Sequence, residues 1–99
     1  MFEIRYAKSV TDDLKGLKAG QRKRILDRIE AQLTHEPTRK TRNKKILVGL
    51  VPPWEPVEPV WELRIGEYRV FYDVDDAASV VIVRAIRHKP PHKTTEEIL

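Results

Sequence analysis

Cysteine is absent from the 99 residues, which excludes disulfides and thiolate metal ligands and suits a reducing compartment. Glycine is scarce, with four residues, and none forms a phosphate-cradling loop or a nucleophile elbow. The three histidines include no helical pair, so no metal-ligand pattern is present and no cofactor is expected. No stretch approaches the ~18 consecutive apolar residues of a membrane span, and the opening "MFEIRYAKSV" lacks the apolar run of an export signal. A soluble, cytoplasmic protein without a membrane partner is therefore expected. Internal repeats and low-complexity tracts are also missing. Acidic residues are the minority: 15 against 19 lysines and arginines, for a net charge of +4. That balance favours nucleic acid or an acidic protein as partner.

The length suits one domain spanning residues 1–99, with a modest core that removes about 60–68% of the unfolded surface from water. "FEIRY" alternates and reads as a first strand. "KSVTDDLKGLKAG" places Val10, Leu14 and Leu17 at helical spacing and stops near Gly16 to Gly20. In "QRKRILDRIEAQLTHEP", Ile25, Ile29 and Leu33 recur every fourth residue, Leu26 widens the stripe, and Pro37 ends the helix. "ILVGL" reads as a second strand. "VPPWEPVEP", with four prolines in nine residues, reads as a stiff loop. A hairpin and the β-branched "SVVIVRAIRH" follow, and the tail from residue 89 to 99 has no periodicity and is expected to be flexible. The order β-α-α-β-β-β-β predicts an α+β fold, with two helices on one face of a mostly antiparallel sheet and the other face open.

The hairpin "WELRIGEYRVFY" (61–72) carries the clearest chemistry. Gly66 takes positive φ at the first turn position, so a two-residue II′ turn is predicted, and the register places Arg64 opposite Arg69. Trp61, Leu63, Ile65, Tyr68, Val70 and Tyr72 then form a core face. Opposed like charges cost roughly 0.2–1 kcal/mol, so the pair needs either screening or a use. One use is a phosphate clamp, because guanidinium groups keep their charge and grip phosphate in bidentate fashion. The bland alternative is pairing with Glu62, Glu67 or Asp73. "TRKTRNKK" (38–45) holds five basic residues and no acid; it is either a phosphate-contacting segment or a solvated loop. His88 and His92 are candidate proton carriers or incidental members of a basic tail. Trp54 and Trp61 are weighed as base-stacking platforms, with packing favoured for both.

Taken together, "PVWELRIGEYRVFYDV", two preceding helices and the following "VVIVRAIRHK" resemble the RelE/ParE superfamily of bacterial type II toxin–antitoxin toxins. The resemblance runs from the first strand to about Lys89. It implies one of two activities. RelE-like members are metal-independent ribonucleases that cut mRNA on the ribosome using the RNA's own 2′-hydroxyl. ParE-like members share the fold and poison DNA gyrase; a third possibility is an inactive member that retains only antitoxin binding. On the ribonuclease reading, Arg69 matches the arginine that holds the scissile phosphate and Arg64 a basic strand residue beside it. Glu62, His88 or Lys89 would handle protons, while Lys44, Lys45, Arg87 and His92 would contact RNA. The resemblance also implies a cognate antitoxin, with ribosome and mRNA (or gyrase) as targets. Two departures stand out: Glu62 occupies the place of a lysine in the prototype, and no tyrosine follows Tyr72.

Overall fold

The computed structural model describes all 99 residues. Its elements are β1 (Glu3–Tyr6), α1 (Val10–Lys15), α2 (Ala19–Leu33), β2 (Lys44–Leu47), β3 (Val60–Ile65), β4 (Tyr68–Asp75), β5 (Val80–His88) and α3 (Thr95–Ile98). The five strands form one sheet in the order β1-β5-β4-β3-β2, antiparallel except where β1 runs parallel to β5. The α+β architecture is as expected from the sequence, with α3 added in the tail. No helix is long and apolar enough to cross a membrane.

The helix stripe works as its spacing predicts. Ile25, Ile29 and Leu33 are buried against Trp61, Leu63, Ile65, Val70 and Tyr72 of the hairpin. Each such aliphatic side chain contributes about 1.5–3 kcal/mol by leaving water. Arg22 ties α1 to α2 by donating from Nε to Leu14 O and from Nη2 to Leu17 O, both at 3.1 Å.

The hairpin register is as read from the sequence: Arg64 faces Arg69 and Gly66 has φ +58°. β2 begins two residues before "ILVGL", inside the basic run, because the pairing Lys44↔Leu63 extends it toward the Thr41–Lys44 turn. Gly49, at φ +75°, lies just past its far end.

The expectation of an open second sheet face needs correction. Phe71 and Asp73 on that face are fully buried. The proline segment folds over them: the Trp54 ring lies 6.4 Å from Phe71, and Val57 N donates to Asp73 Oδ2 at 3.1 Å. Arg84 Nε donates to the same oxygen at 2.9 Å. Proline restricts φ, so a strap this rich in it loses little further freedom on docking. At the hairpin end the face remains accessible, with Arg64 exposed.

A bulge in β5 determines what reaches that end. Phe71 pairs with Ala85 but Tyr72 pairs with Val83, leaving Arg84 as an extra residue. Val81, Val83 and Ile86 therefore all reach the helix-side core, and the face of every later residue is inverted relative to an unbroken strand.

Candidate functional site

At the hairpin end lies a cleft of about 220 Å³ lined by Arg42, Asn43, Lys45, Glu62, Arg64, Arg69 and Lys89. Its lining is wholly polar: five cations surround one carboxylate. Three chain segments build it. The turn before β2 is closed by Thr41 N to Lys44 O at 3.0 Å and by Asn43 N donating to Thr41 Oγ1 at 3.2 Å. It is fastened to β3 by Arg64 N donating to Asn43 O at 2.8 Å. The end of β5 is fastened to the hairpin turn by Lys89 N donating to Glu67 O.

Arg69 is the fixed cation. It is 8% exposed, and its Nη1 donates to Gly66 O and Tyr68 O, each at 2.9 Å. Burial lowers its pKa, the nearby Glu62 charge opposes that shift, and Arg64 adds to it. A guanidinium keeps its charge through such a shift. Arg64, by contrast, is exposed and has no carboxylate within ion-pair distance. Of the three acids weighed as partners for the arginine pair, Glu67 turns to His88 and Asp73 to Arg84. Glu62 alone reaches the pair, its Oε1 lying 4.0 Å from Arg69 Nε.

Glu62 is 4% exposed. Lys45 Nζ lies 3.7 Å from Oε1, and Thr95 Oγ1 donates to Oε2 at 3.1 Å. With cations near one oxygen and a hydroxyl on the other, both oxygens of this buried carboxylate have polar partners.

Several residues selected from the sequence are placed elsewhere. Lys44 is 3% exposed and caps the end of α2, donating from Nζ to Gln32 O at 3.1 Å and to Glu36 O at 2.8 Å. Its assignment as an RNA contact is therefore corrected; neighbouring Lys45 takes the cleft position because alternate strand residues face opposite ways. His88 lies on the helix side, its ring 5.3 Å from Tyr68 and its Nε2 3.0 Å from Glu67 Oε2. The bulge puts Lys89, not His88, in the cleft. Arg87 bends to the sheet edge, where its Nη1 meets Asp13 Oδ1 at 2.6 Å. His92 is exposed in the tail and does not line the cleft.

Sequence reading missed Arg42, Asn43 and Thr95. The first two lay within the basic run as unremarked members. Thr95 gave no signal, because its contact with Glu62 spans 33 positions.

Residues 4–89 match the family described as ParE toxin of type II toxin-antitoxin system, parDE. The chain belongs to this family, within the RelE/ParE superfamily of type II toxin–antitoxin toxins. Solved structures carry the same fold. The RelE–RelB complex of Pyrococcus horikoshii matches at 22% identity and TM-score 0.69, covering 94% of this chain and 98% of that one. A RelBE toxin–antitoxin complex of Mycobacterium tuberculosis matches at 21% identity and TM-score 0.67, covering 89% and 98%. The isolated E. coli RelE toxin matches at 18% identity and TM-score 0.68, covering 94% and 89%. No curated protein sequence matches the chain significantly.

Proposed function

We propose that this toxin is a ribosome-dependent, metal-independent mRNA endoribonuclease that inhibits translation. The observation that carries the reading is the immobilised Arg69 guanidinium beside the buried Glu62 carboxylate, in a cleft otherwise lined by four cations and Asn43. Phosphate enters between Arg64 and Arg69, whose mutual repulsion it relieves, and Lys45 and Arg42 hold the flanking backbone. The 2′-hydroxyl of the nucleotide on the 5′ side attacks phosphorus while the Glu62 carboxylate takes its proton. The bond from phosphorus to the next nucleotide's 5′ oxygen breaks, and the Lys89 ammonium protonates that oxygen. The products are a 2′,3′-cyclic phosphate and a 5′-hydroxyl; Glu62 and Lys89 then return to their starting states by proton exchange with water. Arg69 stabilises the charge that builds on the non-bridging oxygens, from a position that needs no rearrangement.

The solved relatives in complex with RelB support a cognate antitoxin as partner. An acidic or amphipathic segment covering the cleft would neutralise it. The family match to ParE and the absence of tyrosine after Tyr72 favour a second reading, gyrase inhibition by binding alone. Pulse labelling on induced expression separates the two. Ribonuclease action predicts that protein synthesis falls first and that Arg69→Ala relieves growth arrest. An early fall in DNA synthesis, indifferent to Arg69, would transfer the assignment to gyrase.

A further inference from the structure

The ribonuclease reading leaves one contact unused: the hydroxyl that the C-terminal turn delivers to Glu62. We propose that Thr95 is a positioning residue for the Glu62 base, and that the last turn of the chain exists in part to hold it there. The inference rests on the reading of Glu62 as the proton acceptor.

The terminal torsion of a glutamate is broad and roughly two-fold, so packing of the stem alone does not decide which oxygen points where. Glu62 is 4% exposed, and its two oxygens are distinguished by their partners. Oε1 faces the cleft cations Lys45 and Arg69, at 3.7 and 4.0 Å. Oε2 accepts from Thr95 Oγ1 at 3.1 Å. With Oε2 held, the carboxylate plane is fixed and Oε1 is presented to the cleft, where a 2′-hydroxyl would lie. Without that donor the carboxylate would rotate, and a misplaced base loses rate even when its charge is intact.

The turn that carries Thr95 is built to stay folded. Four residues are too few for a self-supporting helix, but α3 has both halves of a capping box. Thr94 Oγ1 accepts from Glu97 N at 3.3 Å, and Glu97 Oε1 accepts from Thr94 N at 2.9 Å. Lys93 Nζ lies 3.9 Å from Glu97 Oε2. These contacts fix the first helical residue, which is Thr95.

The test is a double-mutant cycle on mRNA cleavage by programmed ribosomes, with kcat and KM measured separately. Thr95→Val keeps the side-chain shape and removes the donor. It should lower kcat by roughly 10–100-fold, the usual cost of losing an orienting partner, and leave KM unchanged. Thr95→Ser should restore the rate. In a Glu62→Gln background, Thr95→Val should cause no further loss. An equal loss in both backgrounds, or full activity of Thr95→Val while Glu62→Gln is inactive, would overturn the positioning role and leave the ribonuclease reading intact. Wild-type cleavage that survives Glu62→Gln would remove Glu62 as base and this proposal with it. Absence of cleavage by the wild type would overturn both.

Discussion

His88 and Lys89 are adjacent in the sequence yet serve opposite faces of the sheet: His88 rests against Tyr68 on the helix side, and Lys89 lines the cleft beside Arg69 and Glu62. On the proposed mechanism, Lys89→Ala should reduce mRNA cleavage by roughly 100-fold or more, the scale of a lost general acid. His88→Ala should stay close to wild type. Parallel assays on programmed ribosomes check the pair, and the reverse ranking would mean that the end of β5 is registered differently in the active toxin.

The two lysines of β2 should separate in the same way, but between stability and function. Lys44→Met keeps the aliphatic stem and strands the carbonyls of Gln32 and Glu36, at an expected cost of about 1–3 kcal/mol in urea unfolding. Lys45→Met should leave the unfolding midpoint nearly unchanged and weaken binding to ribosome-held mRNA, with a shallower salt dependence.

Asp73 fastens the proline strap. It is fully buried and holds both Arg84 Nε and Val57 N through Oδ2. Asp73→Ala removes one partner of a buried pair, with an expected loss of about 3 kcal/mol. In a Trp61→Phe background, Trp54 fluorescence should shift to the red as the strap leaves Phe71. An unchanged spectrum would show that apolar packing alone keeps the strap in place.

The C-terminal turn should loosen in acid. The Glu97 carboxyl is held below its ordinary pKa of 4.5, chiefly by the hydrogen bond from Thr94 N and then by the Thr94 side chain. A depressed folded value means that the stabilisation is present above the unfolded pKa and is lost as pH falls through the lower folded value. Amide signals of residues 95–99, followed by NMR from pH 6 downward, should lose dispersion below about pH 4.5, before the core unfolds. Glu97→Ala, which removes the acceptor, should show that loss at every pH.

Much of this was readable in the sequence, for identifiable reasons. The hairpin could be placed because apolar and polar residues alternate strictly on either side of Gly66, and a register slip would expose Trp61, Leu63 and Val70. α2 was legible from Ile25, Ile29 and Leu33. β5 was legible as a strand but not in its facing: "VVIVRAIRH" is apolar on both sides, so nothing in its pattern reveals the extra residue Arg84. The choice between His88 and Lys89 depends on that residue. Lys44 and Lys45 are chemically identical, and only the edge-strand register assigns one to α2 and the other to the cleft. The docking of the proline strap on Phe71 and of Thr95 on Glu62 rests on contacts between distant segments, which no local pattern records.

The proposed function is catalysis of attack by an RNA 2′-hydroxyl in the cleft, with Arg69 as the fixed phosphate ligand. The most direct measurement is cleavage of mRNA on programmed ribosomes, comparing an all-ribose message with one carrying a single 2′-deoxy nucleotide on the 5′ side of the cut. The ribose message should be cleaved to a 2′,3′-cyclic phosphate, with no cut at the deoxy position and loss of activity in Arg69→Ala. An intact ribose message, with gyrase supercoiling blocked by the same preparation, would contradict it.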